Sequence, residues 1–152
     1  MDINDFFKEL ESLLKKIGLE TAMMQGQEPQ AGDTLRAALP VTEAGDSIVL
    51  EVMAMNFDED MILVQIYTTI LTDIRSSFEA LKDNLLEWNL FCPLGAYGIY
   101  REGMQFYHKY NYLIPSDGDA EDMALEIFYL VNTIQDVITD HYPKIIRLSG
   151  NK

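Results

Sequence analysis

The sequence predicts an α+β domain, a single antiparallel five-stranded sheet with helices in the order helix, three strands, helix, two strands, helix. Three observations predict it: apolar residues at three- and four-residue steps in three separate stretches, alternation of apolar and other residues over 47–57 and 61–70, and an aromatic hairpin pattern over 95–114. All five prolines fall at predicted element ends, where a missing N–H and a fixed φ are tolerated.

Ile3, Phe6, Phe7, Leu10, Leu13, Leu14 and Ile17 make the first stripe, with acids in the early turns, Lys15 and Lys16 in the last, and Gly18 as a stop. Thr21 to Asp33 has no period and reads as a loop. Leu35 to Val41 is a first strand, placed at a sheet edge because Pro40 cannot donate to a ladder. Acidic turns at 43–46 and 58–60 then join the second and third strands into hairpins. On those strands Ile48, Leu50, Val52, Ala54, Ile62, Val64 and Ile66 share the even face, expected to pack under helices. Glu51, Gln65, Met53, Met55, Met61, Leu63 and Tyr67 share the odd face, expected to be half covered at best.

Ser76 and Glu79 form a capping-box signature ahead of the second helix, whose stripe is Phe78, Leu81, Leu85 and Trp88, with Asn89 as its expected C-cap. Gly95 to Arg101 and Met104 to Ile114 form the last hairpin. Its second strand sets Phe106, His108, Tyr110 and Tyr112 on one face and Tyr107, Lys109, Asn111 and Leu113 on the other. The third helix follows Asp117-Gly118-Asp119 and is expected to stop at Pro143, leaving 143–152 as a tail. With 152 residues, no repeats and no linker composition, one domain is expected over 1–152.

Eleven basic against 25 acidic residues give a formal charge of -14, which repels phosphate backbones and anionic headgroups, so neither nucleic acid nor a membrane is the expected partner. The acidic opening Met1 to Asp5 is unlike a signal peptide, and Cys92 is the lone cysteine, so the expected location is the reducing cytoplasm. Asp58, Glu59 and Asp60, and Asp117, Asp119, Glu121 and Asp122, miss the calcium-loop spacing and read as soluble turns and a negative helix start. His108 and His141, one mid-strand and one in the expected last helical turn, read as structural. No nucleophile–base pattern appears, so the expectation is no enzyme, no catalytic residue, no metal and no cofactor.

Leu85-Leu86-Glu87-Trp88-Asn89 closing a helix, then Ala96-Tyr97-Gly98-Ile99-Tyr100, the Arg101-Glu102-Gly103 turn and Tyr107 to Leu113 before an Asp-Gly loop, resemble the Trp-Asn signature and following hairpin of the YbjN-type family, often labelled bacterial sensory transduction regulators. The element order over 3–142 also resembles the fold of class I type III secretion chaperones, while the residue-level likeness is confined to 85–125. The tyrosine and methionine load and Cys92-Pro93 depart from the family pattern. The resemblance implies a type III secretion chaperone-like fold with no catalytic residues and no cofactor.

The expected function is a non-enzymatic protein-binding module, adaptor or chaperone-like and homodimeric, that presents Met53, Met55, Tyr67, Tyr107 and Tyr110 to another polypeptide. Two alternatives stand beside it. One is a small ligand-binding or enzymatic domain with a pocket near the 96–112 hairpin; the other is an acidic immunity or antitoxin-type protein that masks a basic target.

Overall fold

A computed structural model describes residues 1–26 and 32–150; residues 27–31 of the predicted 21–33 loop and the last two of the predicted tail lie outside the described residues. The chain is α+β, with the elements α1 (Ile3–Lys16), β1 (Thr21–Met24), β2 (Thr34–Pro40), β3 (Ser47–Asn56), β4 (Met61–Leu71), α2 (Phe78–Phe91), β5 (Ala96–Tyr100), β6 (Gln105–Pro115) and α3 (Ala120–Ser149). The sheet has six antiparallel strands in the order β1-β2-β3-β4-β6-β5, one more than the five predicted.

The sixth strand comes from the stretch read as a loop. Thr21 to Met24 pair with Ala37 to Thr34, which makes β2 an inner strand instead of the expected edge. Pro40 is tolerated there because it lies at the end of β2, beyond the reach of β1. Four residues without alternation carry no periodic signal, so β1 is a product of its neighbour's open backbone groups.

The even face is the core. Leu50, Val52, Val64 and Ile66 are fully buried, together with Leu35 and Leu39 of β2 and Phe106, His108 and Ile114 of β6. Phe6, Phe7, Leu10 and Leu14 of α1 and Ala124, Ile127, Val131, Ile134 and Ile138 of α3 close over them, with α1 against α3 and α2 against α3 and β5.

Helix boundaries differ from expectation in two places. α2 takes Ser77 as N-cap with no side-chain cap bond, and Glu79 pairs with Lys82, so the capping box is not formed. α3 runs through Pro143 to a left-handed Gly150. The proline removes one helical bond and costs about 3 kcal/mol. Beyond it Ile145 is fully buried, with Ile146 and Leu148 packed on the core. Burying such side chains contributes about 1.5–3 kcal/mol each, which offsets the break.

Candidate functional site

The face of the sheet turned away from the helices is where the odd residues stand, and the strand register orders them into rows. Ala38, Val49, Thr69, Tyr107 and Gly98 form one row; Arg36, Glu51, Tyr67, Lys109 and Ala96 form the next. Below them lie Met53, Gln65 and Asn111, then Met55, Leu63 and Leu113. None of these side chains is buried, and Val49, Met55 and Leu113 are 39%, 40% and 43% exposed.

The rings on this face are ordered by contacts within the sheet. Tyr107 stacks on Tyr67 with centroids 4.9 Å apart. It also lies across Gly98, where an added Cβ would come within 2.5 Å of the ring. Burial is the main reason the Tyr67 hydroxyl is held above its ordinary pKa, with Tyr107 and Glu51 adding to it. Gln65 donates to Asn111 at 2.9 Å and Arg36 to Glu51 at 2.7 Å. Glu51 is the only acid in any of the six strands, and it is paired; Lys109 has no acid partner among the described residues. A chain of net charge -14 thus carries one surface without excess acid.

Of the five predicted contact residues, Met53, Met55, Tyr67 and Tyr107 stand on this face. Tyr110 does not. It is the register partner of Ile66, half-buried against the core on the helix side, where it stacks on Tyr112 at 6.2 Å. The alternation of β6 had already set Tyr110 opposite Tyr107. Val49, Met61, Leu63, Tyr100 and Leu113 are apolar or aromatic residues of this face that the predicted contacts left out.

The helix side of the last hairpin is filled by rings. Trp88 packs edge-on to Tyr97 and Phe106, with centroids 6.0 and 5.7 Å away, and Tyr97 packs edge-on to His108 at 5.2 Å. Asn89 is not a C-cap: its amide donates to the Tyr97 carbonyl at 3.0 Å and accepts from the Tyr97 N–H at 2.7 Å. Those backbone groups point away from β6, so the side chain closes the outer edge of β5 as another strand would. The Trp-Asn pair is therefore an anchor and an edge cap in two consecutive residues, and it fixes α2 to the hairpin.

Cys92 and His108 come within 3.6 Å, but both are turned to the same acceptor. Cys92 Sγ lies 3.1 Å and His108 Nε2 2.7 Å from the Leu94 carbonyl, so each donates to it and neither can act as base for the other. Burial holds the thiol above and the imidazole below their ordinary pKa values, keeping both neutral. His141 Nδ1 lies 2.7 Å from the Tyr97 hydroxyl in the body of α3, not in a last turn, since the helix continues past Pro143. Burial, ahead of nearby Cys92 and Asp140, pushes the Tyr97 hydroxyl well up.

The acidic turns serve backbone geometry. Asp58 accepts from the N–H groups of Asp60 and Met61, and Asp119 caps α3 by accepting from Glu121 and Asp122. Among the described residues no three His, Cys, Asp or Glu side chains gather as a metal site, and no helix is long and apolar enough to cross a membrane.

A second exposed apolar patch was missed in the sequence. Leu86, Leu90 and Phe91 of α2 are 86%, 77% and 73% exposed, the first two on the side opposite Leu81 and Trp88 and Phe91 at the helix end. The signal was a helix apolar on both sides, which a stripe read for one face does not register. Neither a protein-family model nor a curated protein matches this chain.

Proposed function

We propose that this chain is a non-enzymatic polypeptide-binding module of the cytoplasm, adaptor or chaperone-like in the manner of the YbjN-type family it resembles, with the open face of the sheet as its docking surface. The observation that carries the reading is that Met53, Met55, Leu63, Tyr67, Tyr107 and Leu113 all stand unburied on the face opposite the helices, in rows that also hold the hydrogen-bonded pairs Arg36–Glu51 and Gln65–Asn111. A fully buried side chain of this kind contributes about 1.5–3 kcal/mol relative to an exposed one, so covering several that are now half-exposed is favourable even after the entropy of association. The mechanism is passive. A rigid sheet presents rings and thioethers that adapt to an apolar segment, while the acids of the helices and turns keep the complex in solution and turn away phosphate-rich partners.

Side-chain footprinting with hydroxyl radicals tests this. Met53, Met55, Tyr67 and Tyr107 are expected to be protected inside cells and reactive in the dilute purified protein, and Leu63→Lys to remove the protection. Equal reactivity in both settings overturns the reading. Protection confined to the acidic helices and turns favours the immunity alternative, since a basic target would sit there.

A further inference from the structure

We infer that the polypeptide covering the open face is a second copy of this chain, packed sheet on sheet about a two-fold axis that runs along β4; this rests on the docking-face reading above. Charge is the first argument. Two chains of -14 repel wherever their acids meet, and the strands of this face carry Glu51 as their single acid, with Arg36 and Lys109 beside it and Glu102 at the hairpin end, where it accepts from the Tyr100 hydroxyl. Two copies that meet here bring few acids together, so the electrostatic cost of their approach is small.

Area is the second. β2, β3, β4 and β6 are 7, 10, 11 and 11 residues long. At about 4.8 Å between strands and about 3.3 Å per residue, the face covers roughly 600–700 Å². Taken from each partner, that is about 1,200–1,400 Å² in total, within the lower part of the roughly 1,200–2,000 Å² that stable interfaces bury.

Register is the third, and it chooses the axis. Rotation about a line along β4 keeps each row at its own height and exchanges β3 with β6. Glu51 then stands opposite the partner's Lys109, Val49 opposite the partner's Tyr107, and Met55 opposite the partner's Leu113. Leu63, Gln65 and Tyr67 each meet their own counterpart. The unpaired cation of the face thereby meets the acid of its strands, and Val49 and Met55 meet apolar side chains, while Met53 stands opposite the partner's Asn111. An axis along β3 would set Glu51 on Glu51, and one along β6 would set Lys109 on Lys109, each a like-charge contact at an interface.

A charge exchange between two preparations of the full chain tests the inference. Lys109→Glu and Glu51→Lys are surface changes, and circular dichroism would verify that both variants fold. In sedimentation equilibrium the wild-type chain is expected to dimerise, each variant alone to dissociate at least about tenfold more readily, and their equimolar mixture to recover wild-type affinity, because the mixed pair restores both opposite-charge contacts. Leu63→Lys, on the axis, is expected to abolish association. A wild-type monomer at high micromolar concentration overturns the inference, as does a dimer indifferent to all three substitutions or a mixture no tighter than its parts. Footprinting then separates the two failures. A monomer whose Tyr67 and Tyr107 are still protected in cells leaves the docking face standing with a different occupant; a monomer whose face is reactive in cells removes both.

Discussion

The hairpin of β5 and β6 carries tyrosines on both sides, and their surroundings are opposite. Inside, Tyr97 packs with Trp88, Phe106 and His108; its backbone is held by Asn89 and its hydroxyl lies against His141. Outside, Tyr107 has the ring of Tyr67 on one side and Gly98 beneath it. Tyr97 is fixed by polar partners drawn from two helices, whereas the outer pair rests on flat contacts that a second surface can extend. Similar residues, one strand apart, are thus committed to folding on one face and left free for association on the other. The largest test of that division is Trp88→Ala. Removing a buried aromatic from the inner cluster is expected to cost about 3–5 kcal/mol, against less than about 1 kcal/mol for Tyr107→Ala, measured by urea unfolding below any association threshold. Equal losses would erase the distinction between the faces.

Asn89→Ala comes next. It removes two hydrogen bonds that close the β5 edge, at a half-buried position that water reaches in part. A loss of about 1–2 kcal/mol is expected, together with faster amide exchange at Tyr97 than anywhere else in the hairpin. Exchange that speeds up equally throughout β5 and β6 would mean that Asn89 supports the hairpin as a whole and not its edge.

The division of the sheet into two faces was legible in the sequence; what covered each face was legible only in part. Alternation over β3 and β4 identifies the buried set from Ile48 to Ile66 because period two admits no other assignment once one face is apolar. The same parity separates Tyr107 from Tyr110, so the five expected contacts drew on both faces of the sheet, and four of them share the open one. β1 was invisible because four residues of pairing are set by the partner strand. The continuation of α3 was hidden for a different reason: Pro143 is a strong local stop, and only the core position of Ile145 outweighs it. The two hydrogen bonds between Asn89 and Tyr97 depend on how α2 crosses to β5, and no spacing within the sequence encodes that crossing.

His108 sharpens the comparison through pH. It is fully buried, its Nε2 is committed to Leu94, and Nδ1 makes no hydrogen bond among the described residues. Around it stand Tyr97, Cys92, the cross-strand partner Thr68 and, further off, His141. Burial holds its pKa below the ordinary 6.5, so the unfolded chain binds the proton more readily than the folded one. The stability that neutral His108 contributes is therefore complete above that value and is lost as pH falls toward the folded pKa, at no more than about 1.4 kcal/mol per pH unit for a single group. Urea midpoints from about pH 8 to about pH 5.5 should fall accordingly, and an imidazole titration by NMR should place His108 below a free histidine. A His108 that titrates at or above 6.5 would show that the inner face is wetter than its packing implies.

The smallest effect on stability is expected at Gly98, and it bears most directly on the outer face. An alanine there places its Cβ 2.5 Å from the far end of the Tyr107 ring, which is a flexible side chain beside open space and can lift away. Gly95 in the same hairpin is unlike it: its φ is +71° and its added Cβ would meet the Lys109 carbonyl at 2.4 Å, so neither backbone can yield. For Gly98→Ala the lost ring contact and the reduced freedom of the unfolded chain act in opposite directions, each by about 0.5–1 kcal/mol, and the net change should lie within about 0.5 kcal/mol of zero. Association should still weaken, because a lifted Tyr107 leaves its stack on Tyr67 and no longer presents a flat surface to an incoming sheet. Unfolding in urea and sedimentation of the same variant check the two halves of this expectation. If stability falls by more than about 2 kcal/mol, the Tyr107 ring is part of the fold after all; if neither quantity changes, the flat stack of Tyr67 and Tyr107 is not what a partner meets.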